Sequence, residues 1–372
     1  MKIIIERSNL IKALGHVQSV VERKGTIPIL SNVKLEAEGA ELTLTATDMD
    51  IAVAERATAN VVQAGSTTVP AQTFYEIVRK LPEGAQVEIS KLADSAKITI
   101  KAGSSRFSLA TLPVEDFPVM NEGELPFSFT ITASECSALI MKTRFAVSTE
   151  ETRYYLNGIY LHATENQGIG VLRAVATDGH RLARIEVALP AGAAGMPGII
   201  IPRKTIGEIV KLIEGGVTQV DISLSESKIR FTCGSAILVS KLIDGTFPDY
   251  ERVIPTINDR IMELDRKEFA RSVDRVSVIA SEKTRGIRLS IAQGKLTLSA
   301  DSPEHGTATE EIDVNFAAEP IEIGFNSRYL LEMTAQMEGD TAQFVFADGS
   351  APAVVRDTAD VSALYVIMPM RV

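Results

Sequence analysis

A chain of 372 residues is too long for one ordinary domain and allows two or three. Hydrophobic residues at 45% and charged residues at 23%, with 25 Gly and 15 Pro, describe a folded globular protein and exclude a disordered or collagen-like one. The 38 Lys and Arg against 48 Asp and Glu leave a net charge of -10, which argues against a nucleic-acid binder if the charge is evenly spread.

At the N-terminus, Met1 to Leu10 holds too short an apolar run for a secretory signal, and no stretch approaches the length of a membrane span. Cys136 and Cys233 lack CxxC spacing, so neither a disulfide framework nor a zinc site is expected. A reducing cytoplasmic location without a membrane is the expectation.

In chain order, one pattern appears three times. Each copy opens with a helix-like segment, Ser8 to Val21, Ala133 to Arg144 and Asp265 to Ile279. Leu10, Ile11, Leu14, Val17 and Val21 recur at three- and four-residue steps, as do Phe269, Val273, Val276 and Ile279, which marks one apolar helix face. An alternating strand pair with a polar corner follows, over Ile27 to Ala57, Tyr154 to Val187 and Gly286 to Val314. Thr47-Asp48 and Thr177-Asp178 hold the corner 130 residues apart, and Ala300-Asp301 is placed there in the weaker third copy.

A strand running into a second helix comes next. Pro70 and Pro202 are expected in the first helical turn, where a missing N–H costs nothing, and Asn326 or Ser327 is the candidate N-cap of the third. The copies close at Phe117-Pro118, Phe247-Pro248 and Met368-Pro369. Period-two segments such as VEIS, KITIKAG and RFSLATL predict antiparallel sheet with one buried face. The expected fold is therefore α+β, three tandem helix/antiparallel-sheet modules over 1–122, 128–252 and 260–372, with linkers around 119–127 and 253–260.

Charge is unevenly distributed. Six helix windows, 8–24, 70–80, 133–144, 202–214, 265–279 and 326–337, hold 15 basic and 9 acidic residues, and the other 292 residues hold 23 basic and 39 acidic. Either helices simply favour Lys and Arg, or a basic helical surface faces phosphates while an acidic sheet surface faces away.

The strings Arg153-Tyr154-Tyr155-Leu156-Asn157-Gly158, Thr177-Asp178-Gly179-His180-Arg181-Leu182, Phe247-Pro248-Asp249-Tyr250 and Met368-Pro369-Met370-Arg371 resemble the bacterial sliding clamp family, the beta subunits of DNA polymerase III. The resemblance covers the whole chain. It implies the DNA clamp fold and a head-to-tail homodimer ring of six modules, with helices around a hole that holds duplex DNA and sheets outside. It implies a processivity factor that tethers the replicative and other DNA polymerases, with mismatch-repair and ligase-type proteins as further partners. An ATP-driven clamp loader would open the ring, because the sequence holds no nucleotide site of its own. No cofactor is expected.

By the same resemblance, Phe107 and Leu109 should pack on Val278 and Ile279 across the dimer interface. The DNA-facing set is Arg23, Lys24, Arg79, Lys80, Arg144, Arg153, Tyr154, Arg203, Lys204, Arg271 and Arg275. Glu150 and Glu151 depart from a basic lining. A partner-peptide pocket is carried over to Leu156, Thr177, Gly179, His180, Arg181, Leu182, Pro248, Arg252, Val253, Asn326, Tyr329, Val366, Ile367, Met368, Pro369, Met370 and Arg371. A tail ending Tyr-Val-Ile-Met-Pro-Met-Arg is apolar for a terminus; it either closes the last sheet or offers an exposed adaptable patch.

An enzyme is not expected. Asp178 and His180 are close enough in sequence to act as acid and base, but no Ser or Cys nucleophile motif accompanies them, and Thr47-Asp48 recurs without a His. The four His lack metal spacing, and Gly192 to Gly198 lacks a Walker pattern and is expected as a flexible loop. Tyr154-Tyr155 is either a stacking platform for bases or ring burial at a strand start. The alternative to encirclement is a repeat-built scaffold that binds only proteins.

Overall fold

The computed structural model describes residues 1–21, 26–92, 95–121, 123–281 and 284–371. The first repeat forms β1 (Lys2–Glu6), α1 (Arg7–Val17), β2 (Asn32–Glu38), β3 (Glu41–Thr47), β4 (Ile51–Thr58), β5 (Asn60–Gln63), β6 (Gly65–Pro70), α2 (Ala71–Lys80), β7 (Gln86–Ser90), β8 (Lys97–Ala102) and β9 (Ser105–Ala110). The second forms β10 (Phe127–Thr132), α3 (Ala133–Arg144), β11 (Gly158–Asn166), β12 (Ile169–Thr177), β13 (Arg181–Ala188), β14 (Ile199–Pro202), α4 (Arg203–Glu214), β15 (Gln219–Leu224), β16 (Lys228–Cys233) and β17 (Ala236–Lys241). The third forms β18 (Arg260–Asp265), α5 (Arg266–Ser277), β19 (Gly286–Ala292), β20 (Lys295–Ser302), β21 (Gly306–Asp313), β22 (Ile321–Asn326), α6 (Ser327–Thr334), β23 (Thr341–Phe346), β24 (Ala353–Asp357) and β25 (Asp360–Ile367). No helix among the described residues is long and apolar enough to cross a membrane.

The chain packs as two units. The first is Met1–Cys136, Pro190–Pro197 and Lys204–Leu242; the second is Ser137–Leu189, Gly198–Arg203 and Ile243–Val372. The central repeat is shared between them, because its two half-sheets fuse with different neighbours.

In the first unit, β17 pairs antiparallel with β4, giving an eight-stranded sheet in the order β10-β15-β16-β17-β4-β3-β2-β6. A second sheet, β5-β1-β7-β8-β9, leaves β9 at its edge. Helix α1 packs on β3, β4 and α2. Its Leu10, Ala13, Leu14 and Val17 are buried, so the predicted face is real, but the helix ends at Val17 instead of Val21. Beyond Val17 the chain tightens into turns, with Val20 N–H donating to the Val17 carbonyl. Leu42, Leu44 and Ala46 are all buried, as one face of a half-buried strand requires.

In the second unit, β13 pairs with β25, giving β14-β11-β12-β13-β25-β24-β23-β18. The remaining sheet, β21-β20-β19-β22, leaves β21 at an edge. Helix α5 packs on β19 to β21 and on α6. Asp265 caps α5 by accepting from Glu268 N–H at 2.7 Å, and Asn326 caps α6 by accepting from Arg328 N–H at 3.0 Å.

Local chemistry explains where the predicted details hold and where they shift. Thr47 Oγ1 donates to the Ile51 carbonyl, and Asp48 Oδ1 accepts from Asp50 and Ile51 N–H. Thr177 and Asp178 repeat those bonds on Arg181, His180 and Arg181. The third corner differs. Ala300 and Asp301 stay inside β20, opposite Ala308 and Thr307, and the turn moves to 303–305. Pairing places Asp301 where Thr47 stands, and the hydroxyl at this turn comes instead from Ser302, whose Oγ accepts from Glu304 N–H at 3.4 Å.

Pro70 and Pro202 end β6 and β14, one step before their helices and not in the first turn. Both strands are sheet edges, the position in a sheet that tolerates a residue without an N–H. The 192–198 segment is also more constrained than a free loop, since a Cβ on Gly192 would sit 2.2 Å from the Ser128 carbonyl oxygen.

Candidate functional site

The partner-pocket residues all fall in the second unit, and Thr177, Leu182 and Val366 among them lie on one face of its eight-stranded sheet. Cross-strand pairs Tyr160↔Val175, Thr177↔Leu182, Leu182↔Val366 and Val354↔Val366 place these side chains on a common face, because alternate residues of a strand point the same way. Leu156, Leu182 and Val366 join Val175, Ile200, Phe247, Tyr250, Val354 and Leu364 in one buried cluster. Leu156, Leu182 and Val366 are therefore a floor. Its other members, notably Val175 and Phe247, were detectable only as strand alternation and a closing Phe-Pro.

Around that floor, Gly179, His180, Pro248, Arg252, Val253 and Met368 are exposed, while Thr177, Pro369 and Met370 are half-buried. Gly179 has φ +88, a conformation glycine adopts without strain, although Met49 takes φ +77 at the same place of the first corner; a Cβ on Gly179 would approach Arg153 Nη1 to 2.7 Å. The tail takes both expected roles. Ile367 is buried in β25, whereas Met368 is 40% exposed just beyond it. The tail is tied down by Met368 N–H to the His180 carbonyl, 2.9 Å, and Met370 N–H to the Gly324 carbonyl, 2.8 Å.

Arg181 and Tyr329 belong to a neighbouring cavity of about 530 Å³, also lined by His180, Arg144, Arg203 and Arg328. The buried Arg181 guanidinium sits over the Tyr329 and Phe145 rings, 4.3 and 5.1 Å from their centroids. It also donates to Asp178, Glu332 and the Phe145 carbonyl. Asn326 serves as a helix cap, and Arg371 lines a separate cavity with Arg288 and Asp301. The Asp178 carboxylate is committed to the corner and to Arg181, which leaves the Asp178-His180 pair without an acid-base geometry. Among the described residues no group of three or more His, Cys, Asp or Glu is placed to hold a metal ion.

Of the DNA-facing set, Arg23 and Lys24 lie outside the described residues. Lys80, Arg144, Arg203 and Arg271 are exposed. Arg79 is paired with Glu76 at 2.7 Å, Arg153 with Glu150 at 2.9 Å, Lys204 with Asp48, and Arg275 with Glu310. Hydrogen bonds from Arg275 and Ser272 hold the Glu310 carboxyl below its usual range. Glu150, an unexpected acid, is thus the counterion of Arg153. Tyr154 is 53% exposed on a short 3-10 turn, Glu151–Leu156, with its ring edge-on to Tyr155. Tyr155 instead packs on the floor cluster.

At the candidate interface, Phe107 and Leu109 are half-buried on the edge strand β9, and Val278 is 76% exposed just past α5 with Ile279 half-buried beside it.

Three repeated helix-and-sheet modules with fused sheets define the three-module clamp fold. Family comparison matches the DNA polymerase III beta subunit N-terminal domain at residues 1–121, the central domain at 130–249 and the C-terminal domain at 251–371. The beta sliding clamp of Caulobacter vibrioides is 52% identical over all 372 residues, and that of Escherichia coli K12 is 36% identical over 374, each with both chains fully covered. A solved Caulobacter crescentus clamp superposes with a TM-score of 0.97 at 52% identity, covering 100% of this chain and 99% of the other. A griselimycin-bound clamp from Bartonella birtlesii gives 0.97 at 47%, both chains fully covered. The chain belongs to the DNA polymerase III beta subunit family. Its function is that of a sliding clamp, a processivity factor of DNA replication within the polymerase III holoenzyme.

Proposed function

We propose that two copies join head to tail into a ring of six modules, 1–122, 128–252 and 260–372 from each chain, that encircles duplex DNA without catalysing a reaction. One observation carries this: the same joint is used twice inside the chain and left open at both ends. The strand after the first corner, β4, pairs with β17, the closing strand of the second repeat, and β13 pairs with β25, the closing strand of the third. The strand in the corresponding place of the third repeat, β21, and the closing strand of the first, β9, are both unpaired edges.

Exposed edges invite pairing, and unlike ends that meet through a closing rotation make a finite ring. The β8–β9 and β16–β17 hairpins match, Ala102↔Ser105 and Cys233↔Ala236. Carrying over the Ala236↔Glu55 and Ser240↔Ile51 register places Ser105 opposite Glu310 and Leu109 opposite Gly306 of the second copy. The family resemblance adds Val278 and Ile279 against Phe107 and Leu109 at this joint.

The exposed Arg144, Arg203, Arg271 and Lys80, with Arg23 and Lys24, supply weak phosphate contacts, because strong ones would arrest sliding. The floor around Leu182 and Val366 receives short peptides of polymerases, an ATP-driven loader and mismatch-repair or ligase-type proteins, in the cytoplasm. Griselimycin, bound by the Bartonella clamp, is a ready probe of whether this chain shares that ligand. The deciding experiment loads the protein on nicked circular DNA and then linearises it. Retention on circles and loss from linear ends is expected, and equal behaviour on both would leave only the protein-binding scaffold.

A further inference from the structure

The segment 247–253 brings Pro248, Arg252 and Val253 to the pocket rim, anchored from below by the buried Phe247 and Tyr250 rings, while the rim residues themselves are exposed. Among the described residues, its 3-10 turn, Tyr250–Val253, has no side-chain cap, and Arg252 pairs only within the segment, with Asp249 at 2.7 Å. The side-chain hydrogen bonds that tie it to the sheet, among the described residues, come from Tyr250 and Glu251; both residues bind Arg173, and the Tyr250 hydroxyl is shared with His162.

Arg173 is an unusual residue for its place. It stands in the interior of β12 with its side chain 4% exposed, where an unpaired charge would be prohibitive. Three partners satisfy it. Nε donates to Glu186 Oε1 at 2.8 Å, and Nη1 donates to Tyr250 Oη at 2.7 Å and to Glu251 Oε1 at 2.6 Å. The guanidinium also lies 5.9 Å from the Tyr250 ring centroid. His162 Nε2 shares the same hydroxyl at 3.0 Å. The Tyr250 ring meets Tyr160 and Phe247 edge-on, and Phe247 stacks on Tyr160 at 4.8 Å.

Strand register explains the arrangement. Arg173, Val175 and Thr177 share one face of β12, opposite Glu186, Arg184 and Leu182 of β13. That face is charged at the Arg173 end and apolar at the Leu182 end. Tyr250 bridges the two, its ring in the same cluster as Leu182 and Val366 and its hydroxyl on Arg173.

We propose that Arg173 is a positioning residue for partner binding: acting through the Tyr250 hydroxyl and Glu251, it latches segment 247–253 so that Pro248, Arg252 and Val253 stand as a fixed wall of the peptide pocket. The inference rests on the pocket reading above. With the latch broken, the wall must be ordered at each binding event, so affinity falls through faster dissociation while the floor stays intact.

The test uses the full-length dimer and a fluorescent clamp-binding peptide of the replicative polymerase. Tyr250→Phe keeps the ring and removes the hydroxyl, and Arg173→Met with Glu186→Gln removes the buried charge together with that of its buried counterion, leaving the exposed Glu251 to water. Each should weaken the peptide about tenfold, chiefly in the off-rate, with dimer size and DNA retention unchanged. Combining them should give less than the sum of the separate losses, since both break one latch. Wild-type affinity in Tyr250→Phe, or fully additive losses, would overturn the latch alone. A Leu182→Asp control separates the readings: if it binds peptide normally, the pocket itself is misplaced and the latch falls with it.

Discussion

Glu310 occupies in β21 the place that Glu55 occupies in β4, and each carboxylate is held by the helix on its own sheet. His16 Nδ1 lies 2.9 Å from Glu55 Oε2, and Ser272 Oγ donates to Glu310 Oε1 at 2.7 Å. Glu55 has one more partner, Ser235 Oγ at 2.6 Å, from the turn before β17 across the internal joint. In the matching turn before β9, Ser104 is exposed. Glu310 is held instead by a second residue of the helix on its sheet, Arg275.

For ring closure, Ile279→Asp is expected to give a folded monomer. Sedimentation at micromolar concentration should show half the dimer mass with an unchanged circular dichroism spectrum, and DNA retention should vanish. A variant that stays dimeric would reject the interface.

For the lining, Arg144→Glu with Arg203→Glu should shorten retention on circular DNA and leave the dimer intact. The dependence of binding on log salt should flatten by about 0.9 for each phosphate that is no longer neutralised. The pair Arg23→Glu and Lys24→Glu should act alike. Unchanged retention at low salt would remove these side chains from the DNA surface.

For the tail, deletion of Met368 to Val372 leaves β25 whole, since that strand ends at Ile367. Two backbone hydrogen bonds disappear, so stability should fall by about 1–3 kcal/mol, while peptide binding drops at least about tenfold. Loss of the dimer or of the fold would make the tail structural.

For the cysteines, burial pushes the Cys136 and Cys233 thiols up to about 12. Both should resist iodoacetamide in the native protein at pH 8 and react on unfolding, as read by mass spectrometry. The folded state keeps these protons above pH ~9, where unfolded thiols ionise, so their contribution to stability falls as pH rises from ~9 toward 12. Below that window they contribute no pH dependence. Rapid native alkylation would contradict the burial.

What the sequence by itself determined was short in range. The Thr47-Asp48 and Thr177-Asp178 corners form because a hydroxyl and a carboxylate reach backbone groups two to four residues away. Asn326 caps α6 for the same reason, and the buried faces of α1 and α5 follow their spacing. The tertiary structure alone decided which strand lies beside which. Alternation marks the face of a strand but not its neighbour, so nothing local announced that β17 would join β4 or that β13 would join β25. The pairing of Glu150 with Arg153, three residues apart, is by contrast within local reach. Hidden along with the strand neighbours was the meeting of Arg173 with Tyr250, 77 residues away: a buried charge becomes tolerable only once the fold has brought its partners to it.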